Sequence, residues 1–96
     1  MLVLVSYDVS TESSAGKRRL RQVAKICQNY GQRVQKSVFE CKVDKKTLHK
    51  LRRRLLDTYE KNEDSLRIYR ITEPVEENIE EYGTNESIDF EGPLIA

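Results

Sequence analysis

Among the polar residues of this chain, Asp8 has the setting best suited to chemistry. It follows the apolar run Leu2-Val-Leu-Val-Ser-Tyr7 directly, so it stands where a strand would leave the core. A fixed backbone at that point can present one carboxylate to Mg²⁺, a hard ion that keeps several waters and takes only one or two protein carboxylates besides substrate phosphate. Such an ion, or Mn²⁺ in its place, would polarise a phosphodiester and activate water for hydrolysis. The alternative is a turn residue, because an Asp after a strand readily bonds its own backbone. A second carboxylate ligand is not evident within one chain, where Glu12 and Glu40 are the nearest candidates. A two-fold axis that pairs two Asp8 residues would supply it.

Lys17, Arg18, Arg19 and Arg21 come shortly after Asp8, at the start of a predicted helix. Positive side chains and a helix N-terminus can both receive phosphates, so these four are the candidate nucleic-acid contacts. Nothing nearby reads base edges, and binding of this kind is largely independent of sequence. The denser Lys50, Arg52, Arg53 and Arg54 cluster reads as a solvated helix face.

Other chemistries find little support. His49 is the single histidine and falls at the flank of a helical stripe, a surface position rather than part of a triad. Gly16 and Gly31 are isolated, so no phosphate-cradling glycine loop is present. Two cysteines, Cys27 and Cys41, are too few for a four-ligand zinc site within one chain, and both read as core thiols. Apart from the divalent metal, no cofactor is expected.

Charge is divided along the chain. Residues 1–61 hold 15 Lys/Arg against 6 Asp/Glu, a balance of +9, while residues 62–96 hold 2 against 10, a balance of −8. A basic body with an acidic tail suits a polyanionic partner for the first part, although charge runs are more often solvated faces. The first five residues are apolar but too short for a signal or a membrane span. The protein is therefore expected in the cytoplasm, with no membrane contact.

The elements that position these residues can be read from periodicity. The β-branched run before Asp8 predicts a first strand buried on both faces. Ser10 to Ser14 supply caps, and Leu20, Val23, Ala24, Cys27 and Tyr30 recur at helical spacing, with Gly31 as the stop. Arg33 to Val43 predicts a hairpin with its reversal at Gln35-Lys36-Ser37; Phe39, Cys41 and Val43 alternate against Glu40 and Lys42. Asp44 caps a second helix with the stripe Leu48, Leu51, Leu55 and Tyr59. Leu66 to Ile71 alternates as a last strand before Pro74.

The order βαββαβ points to an α+β, ferredoxin-like sandwich over residues 1–71. Residues 72–96 form an acidic tail in which Ile88-Asp-Phe90 could add a short strand to this sheet or to a partner's. At 96 residues the chain buries a modest share of its surface, which makes a second copy a plausible source of missing core.

Three segments carry a resemblance: Leu2-Val-Leu-Val-Ser-Tyr-Asp-Val9, Lys17-Arg-Arg-Leu-Arg-Gln-Val-Ala-Lys25 and Tyr30-Gly-Gln-Arg-Val-Gln-Lys-Ser-Val-Phe-Glu-Cys41. Together they strongly resemble the Cas2 family of CRISPR adaptation proteins, through Ile71. The resemblance implies a homodimer with its sheets stacked face to face and the last strand added to the neighbouring protomer's sheet. It maps the family's aspartate onto Asp8, makes Arg18 or Arg19 a contact to the nucleic-acid backbone and makes Phe39 a core or dimer residue. Implied functions belong to two classes. One is an Mg²⁺-dependent endonuclease on double-stranded DNA or on RNA, with duplex DNA the expected substrate. The other is a non-catalytic dimer that bridges the CRISPR integrase, Cas1, and holds duplex DNA during spacer acquisition.

Overall fold

The computed structural model describes residues 1–84. Its elements are β1 (Leu2–Asp8), α1 (Ser14–Gln28), β2 (Gly31–Gln35), β3 (Val38–Lys42), α2 (Lys45–Thr58) and β4 (Ser65–Ile71), with one turn of 3-10 helix at Val75–Glu77. The four strands form a single sheet in the order β2-β3-β1-β4, and every neighbouring pair is antiparallel. This is the ferredoxin-like α+β arrangement. The expected extra strand at Ile88–Phe90 lies outside the described residues.

Alternation decides which face meets the helices. Val3, Val5 and Tyr7 of β1 project with Phe39 and Cys41 of β3 onto Leu20, Val23, Cys27, Leu48, Leu51 and Leu55, and all are buried. Leu66 and Ile68 of β4 extend that layer from the edge of the sheet. Burial of each large aliphatic or aromatic side chain here contributes about 1.5–3 kcal/mol. Phe39, fully buried, is a packing residue.

The expectation that β1 is buried on both faces is corrected. Both helices lie on one side; on the other side Leu2 is buried but Leu4 and Ser6 are only half-buried. Leu4 pairs there with Glu40 and Tyr69, and Ser6 with Val38 and Arg67. An antiparallel sheet tolerates this one-sided cover. The uncovered face also displays Tyr69, 43% exposed, with the Arg67 guanidinium 5.9 Å from its ring centre. Glu40 is half-buried on the same face, and that burial, with Glu81 of the tail nearby, holds its carboxyl above the usual range.

Local chemistry sets the helix ends. Ser13 Oγ accepts the Gly16 amide at 3.0 Å to cap α1, and Asp44 Oδ1 accepts the Thr47 amide at 2.7 Å to cap α2, each filling an orphan donor of the first turn. Gly31 does not stop α1 as expected: Asn29 is the right-handed C-cap and Gly31 opens β2. Its need for glycine is steric, because a Cβ there would lie 1.9 Å from the Glu40 carbonyl oxygen. Gly16 is similar, since a Cβ would stand 1.9 Å from the Ser10 carbonyl oxygen. That contact presses the segment after Asp8 against α1. Overpacking of this kind typically costs about 1–3 kcal/mol, so Gly16→Ala is expected to lower the urea midpoint accordingly, with an unchanged denaturant slope.

Candidate functional site

Asp8 is the last residue of β1, a strand held on both sides. On one side it pairs with Ser65 of β4. On the other, the Tyr7 amide donates to the Ser37 carbonyl at 3.0 Å. The Asp8 side chain is exposed, and its carboxylate has no hydrogen bond or ion pair among the described residues. A turn-forming Asp would bond its own backbone; this one does not. It opens into a cleft of about 130 Å³, shared with Thr11, Lys36 and Ser37 and floored by Tyr7 and Leu20.

Directly behind Asp8 lies a polar network that the strand pattern alone did not reveal. Asp64, at the end of the α2–β4 connection, has a side chain with 0% exposure. Its Oδ2 accepts Arg19 Nε at 2.8 Å, the Glu60 amide at 2.9 Å and the Tyr7 hydroxyl. Its Oδ1 accepts Arg19 Nη2 at 3.0 Å. Burial alone would raise the Asp64 pKa, but these donors outweigh it and hold the carboxyl below its ordinary range. Burial, reinforced by the bond to Asp64, pushes the Tyr7 phenol up to about 12. The Arg19 guanidinium, raised first by its hydrogen bond to Asp64, stays charged throughout.

The four basic candidates therefore divide. Lys17, Arg18 and Arg21 are exposed on α1 and enter no ion pair among the described residues. Arg19, expected with them on the phosphate side, is turned inward to Asp64 and reaches Glu63 at 3.4 Å. Its position on α1 faces the α2–β4 connection, where a buried carboxylate needs a bidentate partner. The first turn of α1 has no acidic residue, so nothing there offsets the positive helix end or the cations that follow. His49 is exposed, as are Lys50, Arg53 and Arg54, while Arg52 is half-buried. Cys27 and Cys41 are free and buried; the Cys41 thiol lies 3.6 Å from the Cys27 carbonyl oxygen.

Two residues at this corner escaped the sequence reading, Asp64 and Lys36. For Asp64 a signal existed, since a buried tyrosine hydroxyl needs a partner and Tyr7 sits on a buried strand. Nothing in the periodicity pointed to Lys36.

No group of three or more His, Cys, Asp or Glu side chains is placed to hold a metal among the described residues. The donor set is one accessible, unpartnered carboxylate per chain. It fits a hard cation that keeps most of its waters, with Asp8 as the residue that would hold it.

The family model described as CRISPR associated protein Cas2 matches residues 1–79. The chain belongs to the Cas2 family. It is 55% identical over 95 residues to a protein of Moorella thermoacetica named CRISPR-associated endoribonuclease Cas2 1, with 99% of each chain covered. It is 54% identical over 95 residues, again with 99% of each covered, to the CRISPR-associated endonuclease Cas2 of Halalkalibacterium halodurans. The crystal structure of Streptococcus pyogenes Cas2 superposes with a TM-score of 0.81 at 46% identity, covering 86% of this chain and 100% of that one. No helix among the described residues is long and apolar enough to cross a membrane.

Removing one partner from a buried ion pair costs about 3–5 kcal/mol, so Asp64→Ala is expected to lose that much in urea denaturation at pH 7. Tyr7→Phe, which drops one bond to the carboxylate, should lose about 1.5–3 kcal/mol. Because the folded Asp64 pKa is depressed, its stabilisation is complete above the ordinary value of about 4 and is lost as pH falls through the folded value. Asp64→Asn is expected to flatten this acid limb of the stability curve.

Proposed function

We propose that this Cas2 protein is a divalent-metal-dependent phosphodiesterase that acts as a homodimer on double-stranded DNA and serves in the spacer-integration complex. The observation that carries this reading is the free, exposed Asp8 carboxylate, held at a fixed strand end. When bound there, Mg²⁺ or Mn²⁺ would polarise the phosphodiester and activate the attacking water. Asp8 would hold the ion, and Lys17, Arg18 and Arg21 would position the phosphate backbone without reading bases.

The sheet face opposite the helices supports pairing. In β1, Leu4, Ser6 and Asp8 alternate to the side opposite the helices. On that side Leu4, Val38 and Ile71 are only half-buried and Tyr69 is exposed. A second copy stacked on this face would bury those side chains and bring two Asp8 residues to one side of the dimer, which supplies the second carboxylate that a single chain lacks. Duplex DNA is favoured over RNA because Tyr7 and Phe39 are buried, so Tyr69 alone could stack a splayed base on the sheet. One relative is named an endoribonuclease and another an endonuclease.

A second reading, an architectural dimer that bridges the CRISPR integrase and holds DNA, rests on the unpaired cations of α1. The same variants separate the two readings. Asp8→Asn is expected to abolish metal-dependent plasmid nicking, by about 10³-fold or more if the metal is lost; nicking and RNA cleavage at wild-type rates would remove Asp8 from catalysis. If the architectural role is sufficient in the cell, Asp8→Asn still supports spacer acquisition, while reversing the charges of Lys17, Arg18 and Arg21 abolishes it.

A further inference from the structure

We propose that Lys36 is a phosphate-binding residue of the Asp8 cleft, gripping a non-bridging oxygen of the bound phosphodiester from the side opposite the carboxylate. The inference rests on the nucleic-acid reading above and adds to the site a residue from the β2–β3 turn.

β1 and β3 pair Val5 with Phe39 and Ser6 with Val38, and the Tyr7 amide continues the ladder to the Ser37 carbonyl at 3.0 Å. Lys36, in the β2–β3 turn, precedes Ser37, and Asp8 follows Tyr7. Both line the same cleft, yet they form no ion pair, and Lys36 has no side-chain partner among the described residues.

The turn that carries Lys36 is also fixed. Arg33 Nε donates to the Lys36 carbonyl at 2.7 Å, and the Arg33 guanidinium lies 5.5 Å from the centre of the buried Phe39 ring. A bulge between Arg33 and Gln35 bends β2 at this point. The Lys36 backbone is thus tied to the core while its ammonium group remains exposed.

A cleft of about 130 Å³ is well below the roughly 300–1,000 Å³ of pockets that enclose small molecules, and its lining includes one acidic residue, Asp8, and one basic residue, Lys36. A phosphate whose charge is shared between a carboxylate-held cation and a lysine fits this pairing. The lysine acts as a point charge and needs no particular base. Lys36 is the one lysine or arginine lining this cleft, whereas Lys17, Arg18 and Arg21 lie outside it on α1.

Two measurements test the assignment. In the first, duplex DNA is titrated at several salt concentrations with Asp8→Asn, and with Asp8→Asn combined with Lys36→Ala, so that cleavage cannot interfere. Loss of one phosphate contact should make the slope of log K against log salt shallower by about 0.9. In the second, cleavage is measured with Lys36→Ala and Lys36→Arg on the otherwise unaltered chain. Lys36→Ala is expected to lose about tenfold or more in kcat/KM, the scale of one hydrogen bond to a charged group, with Lys36→Arg recovering most of it. Equal slopes with and without Lys36 would overturn the inference. If the unaltered chain binds duplex DNA but cuts nothing, the nuclease reading fails and the salt slope still decides for or against Lys36.

Discussion

The corner of this molecule that matters most depends on a buried carboxylate. Asp64 gathers a guanidinium, a phenol and a backbone amide and is removed from solvent altogether. A buried charge is tolerable only when it is fully paired and hydrogen-bonded, and here each donor comes from a different part of the fold: Tyr7 from β1, Arg19 from α1, Glu60 from the α2–β4 connection. One satisfied charge therefore joins one helix, one strand and one connection at the point where β1 ends. Asp8, the next residue, inherits a rigid base without taking part in the network.

Two carboxylates close in space thus have opposite surroundings. Asp64 has all its donors and is held ionised by them, while Asp8 has none and faces water. The first arrangement serves the fold; the second leaves a charge available to a cation and a phosphate. Separation of roles by environment explains why the strand end can be both well anchored and chemically open. It also explains the inward turn of Arg19, whose neighbours Lys17, Arg18 and Arg21 remain outside.

Much of the fold was legible in the sequence because it rests on short-range rules. The alternation of Val3, Val5 and Tyr7, the caps at Asp44 and among Ser10 to Ser14, and the leucine stripe of α2 each follow from local periodicity. Asp8 stood out for the same reason, as a charge at the end of an apolar run. What was not legible depends on register between distant segments. Gly31 looks like a helix stop until the Glu40 carbonyl is found where its Cβ would be. Arg19 looks like its basic neighbours until Asp64, 45 residues away, is found beneath it. Whether β1 is covered on one face or two depends on where both helices settle, which no strand pattern encodes.

The strand order has one more consequence. β1 and β3 are interior, and β2 and β4 form the two margins of the sheet. The ladder bonds of β1 are taken by its two neighbours along most of its length, so a visiting backbone has access to the margins alone. Augmentation at either rim, by another segment of this chain or by a different protein, leaves the strand that carries Asp8 undisturbed. Pairing along the margins is mechanically insulated from the strand that bears the carboxylate, which stays in register whatever the rims take on.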